Sequence, residues 1–309
     1  MTSPPALPAA VSGTRFEFAS PAGRLSAYVD GPQHSSHAPL LLVHSVNAAA
    51  SAAEVRPLHE HFRASRMVFS VDLPGFGFSD RSDRPYTIRL MTDAVLAMHR
   101  TIRERTGAGS IDALAVSLGC EFLARAAVES PAGWRRLALV SPTGLNGQAA
   151  RRGVAGSNRA LPGLLPALRG PGWGGALFRG LTRPKVIRYF LERTWGGRDI
   201  DEALWAYDVI TARQPGAEHA PLHFLSGGLF AADVLSLYEG LSMPVWASHG
   251  VRGDFTDYRG KRWLEGRANW RFSVYPTGAM PYFEQPDAFI RDSEQFFDAT
   301  VAGSAADAA

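Results

Sequence analysis

Alternation of polar and apolar positions is the first regular feature of the chain. It runs through Thr14–Ala19 and, more loosely, Arg24–Val29, as expected of antiparallel strands at a sheet edge. Pro39–Val43, Met67–Val71 and Ile111–Val116 are short, continuous apolar runs, the pattern of strands buried on both faces. Helical spacing separates them. Val55, Leu58 and Phe62 share one face, and Ile88, Met91, Val95, Met98 and Ile102 recur at intervals of three and four. A helical stretch over Cys120–Val128 and a strand over Arg136–Val140 follow. Strands alternating with helices predict an α/β fold: a mostly parallel central sheet covered by helices on both faces.

From Gly147 to Asp233 the rhythm breaks into short helical patterns rich in Gly, Pro, Arg and Trp. We read 147–233 as an inserted helical cap, or lid. Alternation then resumes, with strands at Pro244–Ser248 and Trp270–Tyr275, a helix over Tyr258–Gly266 and a final helix over Pro286–Val301. The core domain is therefore expected to comprise 1–146 and 234–309. Its Pro/Ala-rich start (1–13) and small-residue tail (302–309) are expected to be disordered. No internal repeat is visible.

Composition narrows the class. Hydrophobic content of 46% and charged content of 20% over 309 residues are globular values. A formal charge of +3 is too small to imply nucleic acid. The single Cys120 excludes an internal disulfide and any cysteine-based zinc site. The first residues lack the basic start and long apolar core of a secretory signal, and no apolar run is long enough to span a bilayer. A soluble, cytoplasmic protein is expected. The stretch from Arg151 to Arg198 is strongly basic: Arg151, Arg152, Arg159, Arg169, Arg179, Arg183, Lys185, Arg188, Arg193 and Arg198 stand against Glu192 alone. Contact with an anionic membrane surface is one reading of this. The plainer reading, which we favour, is an apolar cap face over a pocket with its arginines in solvent.

Five stretches carry the chemistry. Ala115-Val116-Ser117-Leu118-Gly119 sets a serine between a strand and a helix, with small residues two before and two after. Leu41–His44 ends the strand two elements earlier, and Asp72-Leu-Pro-Gly-Phe-Gly-Phe-Ser79 follows the next one. His249–Asp254 follows a late strand, and Thr277–Glu284 follows the last. In this order, from about Phe16 to Phe297, they resemble the α/β-hydrolase family. The cap matches least, and its stretches Thr182–Phe190 and Gln214–Phe230 resemble a bacterial subgroup without the usual histidine, from which no activity is carried over. The resemblance implies that Ser117 is a nucleophile on a sharp strand-to-helix elbow. It implies an oxyanion hole made by the backbone N–H of Leu118 and of Ser45 or Val46. Asp254 matches the acid of the triad, with Asp257 as a nearby alternative. His44, Asn47, Met280 and Tyr282 are expected around the substrate pocket.

One departure outweighs these matches. The last catalytic loop of the family reads Gly-His-x-Pro, and here it is Gly278-Ala279-Met280-Pro281. Ala279 stands where the general base belongs, and all nine histidines lie at or before His249. His249, at a strand end before Asp254, is the first candidate substitute, with His44, His219 and His223 behind it. Each has the plainer reading of a hydrogen-bonded structural histidine. The expected function is a serine hydrolase cleaving a carboxylic ester or related acyl bond of a small apolar substrate. It would act through Ser117 with a degenerate triad and without metal or cofactor. The rival is a non-hydrolytic ligand-binding protein or a lyase-type enzyme on the same fold.

Overall fold

In the computed structural model, residues 5–147, 149–170 and 173–299 are described. Eight strands form one sheet in the order β1-β2-β4-β3-β5-β6-β7-β8. They are β1 (Thr14–Ser20), β2 (Gly23–Asp30), β3 (Leu40–Val43), β4 (Val68–Asp72), β5 (Ile111–Val116), β6 (Trp134–Val140), β7 (Val245–Gly250) and β8 (Trp270–Tyr275). The alternating β1 and β2 pair antiparallel, as does β2 with β4, while every later pairing is parallel. β1 is the edge; β2 lies one strand in.

The continuous apolar runs are explained by two cores. Along β3, Leu41 and Val43 join a core with Met91, Val95 and Met98 of the helix Ile88–Thr106, while Leu40 and Leu42 face the other way. The second core takes Leu58 and Phe62 of the helix Arg56–Phe62 and Phe289, Phe296 and Phe297 of the helix Pro286–Asp298. A strand sandwiched in this manner needs apolar side chains at every position. Among the described residues, six helices lie between β6 and β7: Leu164–Leu168, Gly174–Leu181, Pro184–Trp195, Glu202–Thr211, His219–Leu225 and Val234–Glu239.

Some local expectations differ. The helix expected over Tyr258–Gly266 is a single 3-10 turn, Arg259–Trp263, and the last helix ends at Asp298. Disorder over 1–13 is corrected for residues 5–13. Ala10 and Val11 are buried, the Ala10 N–H donates to Tyr28 Oη at 3.1 Å, and Arg56 Nε donates to the Ala10 carbonyl at 2.8 Å. Long-range polar contacts hold this Pro-rich segment, and composition does not register them. The tail 302–309 lies outside the described residues. Among the described residues, no helix is long and apolar enough to cross a membrane.

His44 and the Asp72–Ser79 turn form one buried structural unit. His44 Nδ1 donates to the Ser45 carbonyl at 2.5 Å, and its Nε2 accepts the Leu73 N–H at 3.0 Å. Both nitrogens are thus committed, and His44 is not part of the pocket wall. Asp72 accepts the N–H groups of Ala52 and Phe78, each at 3.0 Å. Burial pulls the His44 imidazole down to about 4, so it is neutral at pH 7. Its folded pKa lies below the ordinary 6.5, so the unfolded chain binds the proton first. The His44 contribution to stability is therefore complete above pH 6.5 and lost as pH falls towards 4, worth about 3 kcal/mol over that window. Urea unfolding of wild type and His44→Gln at pH 7.5 and 4.5 reads this directly. The wild type is expected to lose about 2–3 kcal/mol more than the variant, and identical pH dependence would sink the assignment.

Candidate active site

Ser117 follows β5 at φ 52°, and Ser141 follows the neighbouring β6 at φ 48°. They are the two non-glycine residues with positive φ among those described. Left-handed backbone costs a side-chain-bearing residue about 1–2 kcal/mol, and such strain clusters where a side chain must be aimed. The turns are held by main-chain bonds between adjacent strand ends. Ser117 N–H donates to Val140 O at 2.8 Å, and Ser141 N–H to Ser248 O at 2.7 Å. The helix Gly119–Glu129 starts at once. A Cβ at Gly119 would lie 2.5 Å from the His44 carbonyl oxygen, which explains the small residue two after the serine.

Above this edge lies a cavity of about 380 Å³. The structure brings Ser45, Val46, Asn47, Ser117, Leu118, Asp254, Ala279 and Met280 together in its wall. Asp257, Leu191, Phe224, Phe230 and Phe255 also line it, giving a largely apolar interior.

The two candidate N–H donors on the oxyanion loop differ. Ser45 N–H donates to Glu54 Oε2 at 2.8 Å, and Ser45 Oγ donates to Glu54 Oε1 at 2.9 Å. Asn47 Nδ2 adds a third bond to Glu54 at 2.6 Å. The expectation of a free Ser45 N–H is corrected: the carboxylate of a residue nine positions on has taken it. The N–H groups of Val46 and Leu118 have no partner among the described residues, and both residues line the cavity. Burial pushes the Glu54 carboxyl above its ordinary range, against its hydrogen bonds from Ser45 and Asn47.

No histidine lines the cavity among the described residues. His249 donates from Nδ1 to the Gly250 carbonyl at 2.9 Å, and its ring stacks on Tyr258 at 4.0 Å. Its Nε2 is buried without a hydrogen-bond partner, and burial lowers its pKa. Tyr258 belongs to the cavity wall and His249 does not, and no hydrogen bond joins His249 to Ser117. His223 is buried against Tyr86, and His219 lies 3.7 Å from Asp83. Tyr282 is likewise corrected out of the pocket: it is fully buried, and its hydroxyl donates to the Glu54 carbonyl at 3.0 Å.

Asp254 has a partner that the sequence does not pair with it. Arg193 holds it by two bonds, 2.7 Å from Nε and 2.6 Å from a terminal nitrogen, and Asp254 N–H donates to Arg193 O at 3.1 Å. Asp257 is bonded by Arg259 and accepts the Gly147 N–H at 2.9 Å. Ala279 is fixed through its backbone: its N–H donates to Thr194 O at 2.9 Å, and its carbonyl accepts Ser141 Oγ at 2.6 Å. A Cβ at Gly278 would meet Thr194 O at 2.4 Å, so main chain packs on main chain here. Sequence reasoning missed Glu54, Ser141 and the pairing of Arg193 with Asp254. Only the position of Arg193 in the basic stretch gave any signal.

Among the described residues, four of the ten basic side chains between Arg151 and Arg198 are paired with acids from outside that stretch. Arg152 pairs with Glu239, Arg169 with Asp83, Arg188 with Glu202 and Arg193 with Asp254. A charge count along the chain misses partners that meet it only in space.

Comparison with known proteins places this geometry. The family model described as alpha/beta hydrolase fold matches residues 38–192. The sequence finds no match among curated proteins. Solved structures are similar over nearly their whole length. The enol-lactonase from Burkholderia xenovorans LB400 has a TM-score of 0.67 at 18% identity, covering 92% of this chain and 100% of its own. The carboxylesterase from Bacillus subtilis has a TM-score of 0.69 at 15%, covering 94% and 93%. The 2-hydroxy-6-oxo-6-phenylhexa-2,4-dienoate hydrolase from Rhodococcus sp. strain RHA1 has a TM-score of 0.70 at 18%, covering 93% and 100%. At these identities the likeness is one of fold.

The strained turn gives a direct test. Glycine at 117 relieves the positive φ and alanine does not, so Ser117→Gly is expected to be more stable than Ser117→Ala by about 1–2 kcal/mol. Equal unfolding midpoints in urea would show that the elbow is not strained.

Proposed function

Because the chain belongs to the α/β-hydrolase fold family, we propose that it is a hydrolase cleaving a small carboxylic ester or related acyl bond through Ser117. One observation carries this reading: the strained turn at Ser117 stands in the same cavity wall as the two unpartnered N–H groups of Leu118 and Val46. Ser117 Oγ bonds to the acyl carbon while the carbonyl oxygen gathers negative charge against those donors. The alkoxide leaves with the proton that Ser117 gives up, and water then hydrolyses the acyl-serine to the free acid. Both donors are main chain, so their placement does not depend on a residue at 279. Without an imidazole, the hydroxyl is a weak nucleophile and turnover is slow.

A second reading has a specific observation in its favour. The cavity lacks histidine among the described residues, and Asp254 is committed to Arg193. Both fit a protein that binds an acyl ligand, or a lyase-type enzyme that uses the oxyanion donors without attack by serine.

A fluorophosphonate probe is expected to label the wild type slowly and Ser117→Ala not at all. A folded wild type that stays unlabelled and leaves a short-chain nitrophenyl ester intact would favour the second reading. The constructive test is Ala279→His combined with Arg193→Met. The second substitution frees Asp254 to hold the new imidazole, while its main-chain bond to residue 193 remains. General-base assistance contributes ~10²–10⁴-fold, and a misplacement of about 1 Å can cost ~10²-fold. A gain of about tenfold or more in kcat/KM is expected for the double variant, more than for Ala279→His alone. No gain in a folded double variant would mean that residue 279 does not face the serine.

A further inference from the structure

We infer that Arg159 makes this cavity a site for an acyl substrate that carries a second, free carboxylate. The guanidinium would hold that carboxylate while the scissile carbonyl faces Ser117. This names the substrate class of the site proposed above and rests on that reading.

The inference begins with how the positive charges are answered. Arg125 is buried with its charge matched by Asp233 at 2.7 Å. Arg66, also buried, meets Asp112 and Asp298. Arg159 lines the cavity and has neither an ion pair nor a side-chain hydrogen bond among the described residues. Its guanidinium lies over the ring of Phe230, 5.2 Å from the centroid. Yet its backbone is fixed: its N–H donates to Phe230 O at 3.0 Å, beside the bridge between Asn158 and Ala231. The residue is therefore anchored at its backbone rather than carried on a free loop.

The acids that could answer it are engaged elsewhere. Asp233 takes Arg125 and the Gly156 N–H, and Glu239 takes Arg152. Glu121 accepts Thr143 Oγ1 at 2.5 Å and the Ala231 N–H at 2.7 Å, and burial raises it to about 7. The cavity's own carboxylates, Asp254 and Asp257, each have an arginine, and Glu54 has three donors. Burial lowers the Arg159 pKa and the nearby Arg151 charge adds to the effect, while Glu121, close enough to be felt but not in an ion pair with it, opposes them. A partly desolvated cation without an ion-pair partner is costly. A planar carboxylate can return two parallel N–H···O bonds. The remaining walls, Leu191, Phe224 and Phe230 among them, suit a short alkyl chain between the two polar ends. The hydrolysis product of such a substrate is a short dicarboxylate, with one end against Leu118 and Val46 N–H and the other on Arg159.

Glutarate and pentanoate have equal chain length and differ in one carboxylate, so they serve as probes. Titration calorimetry on the wild type is expected to show glutarate binding at least tenfold tighter than pentanoate. Arg159→Gln should erase that preference, Arg159→Lys should keep part of it, and inorganic phosphate should displace glutarate poorly. The Arg159→Gln protein should retain its melting temperature, which separates ligand recognition from a merely structural role. Equal affinity for the two probes in wild type, or an undiminished preference in Arg159→Gln, overturns the inference. Phosphate binding as tight as glutarate also overturns it, since the site would then be a general anion site. Because binding is read without turnover, an inert Ser117 with intact glutarate selectivity overturns the hydrolase reading alone.

Discussion

The candidate site depends on how three neighbouring strand ends are fastened. Ser117 N–H on the Val140 carbonyl ties β5 to β6, and Ser141 N–H on the Ser248 carbonyl ties β6 to β7. Ser141 Oγ then reaches the carbonyl of Ala279 in the loop after β8. Four consecutive strands of the sheet are thus joined at one edge, in just the segments where a parallel sheet leaves its backbone groups free. The positive φ values at Ser117 and Ser141 are what this fastening costs, and the buried strands behind them supply the stability that sustains it. N–H groups held by such fastening are preorganised, which is the condition under which aligned donors are most effective.

The sheet was legible in the sequence because its determinants are local. Alternation over Thr14–Ala19 and the unbroken apolar runs later on report one-sided and two-sided burial directly. The Ser117 elbow was legible for a similar reason: its signature is five consecutive residues, and the glycine it requires meets the His44 carbonyl a short way below. The Tyr258–Gly266 stretch misled because its one tight turn leaves a helix-like spacing of side chains without continuing into a helix. Residues 5–13 misled because their order comes from Tyr28, Arg56 and Glu60, which are distant in sequence.

The roles of polar residues were less legible, and histidine shows why. Whether an imidazole serves as a base depends on what its two nitrogens meet. His44 has both engaged, and His249 has one engaged and its ring stacked on Tyr258. Neither fact is encoded near the residue. The same holds for charge. The arginine-rich insertion reads as a cationic surface along the chain, yet Asp83, Glu202, Glu239 and Asp254 meet its arginines in space. What stands out after this pairing, among the described residues, is a single cation in the cavity wall, and only the folded arrangement separates it from its neighbours.

The main-chain anchoring of Ala279 has a consequence for how this architecture can change over time. Its N–H is held by Thr194 and its carbonyl by Ser141, and the adjoining Gly278 packs directly on the backbone of residues 194 and 195. None of these contacts consults the side chain at 279. The position behaves as a socket: its occupant can be exchanged while the loop keeps its course. Chemistry and architecture are thereby inherited separately, and one scaffold can drift between reactive and purely binding forms without passing through an unfolded intermediate sequence.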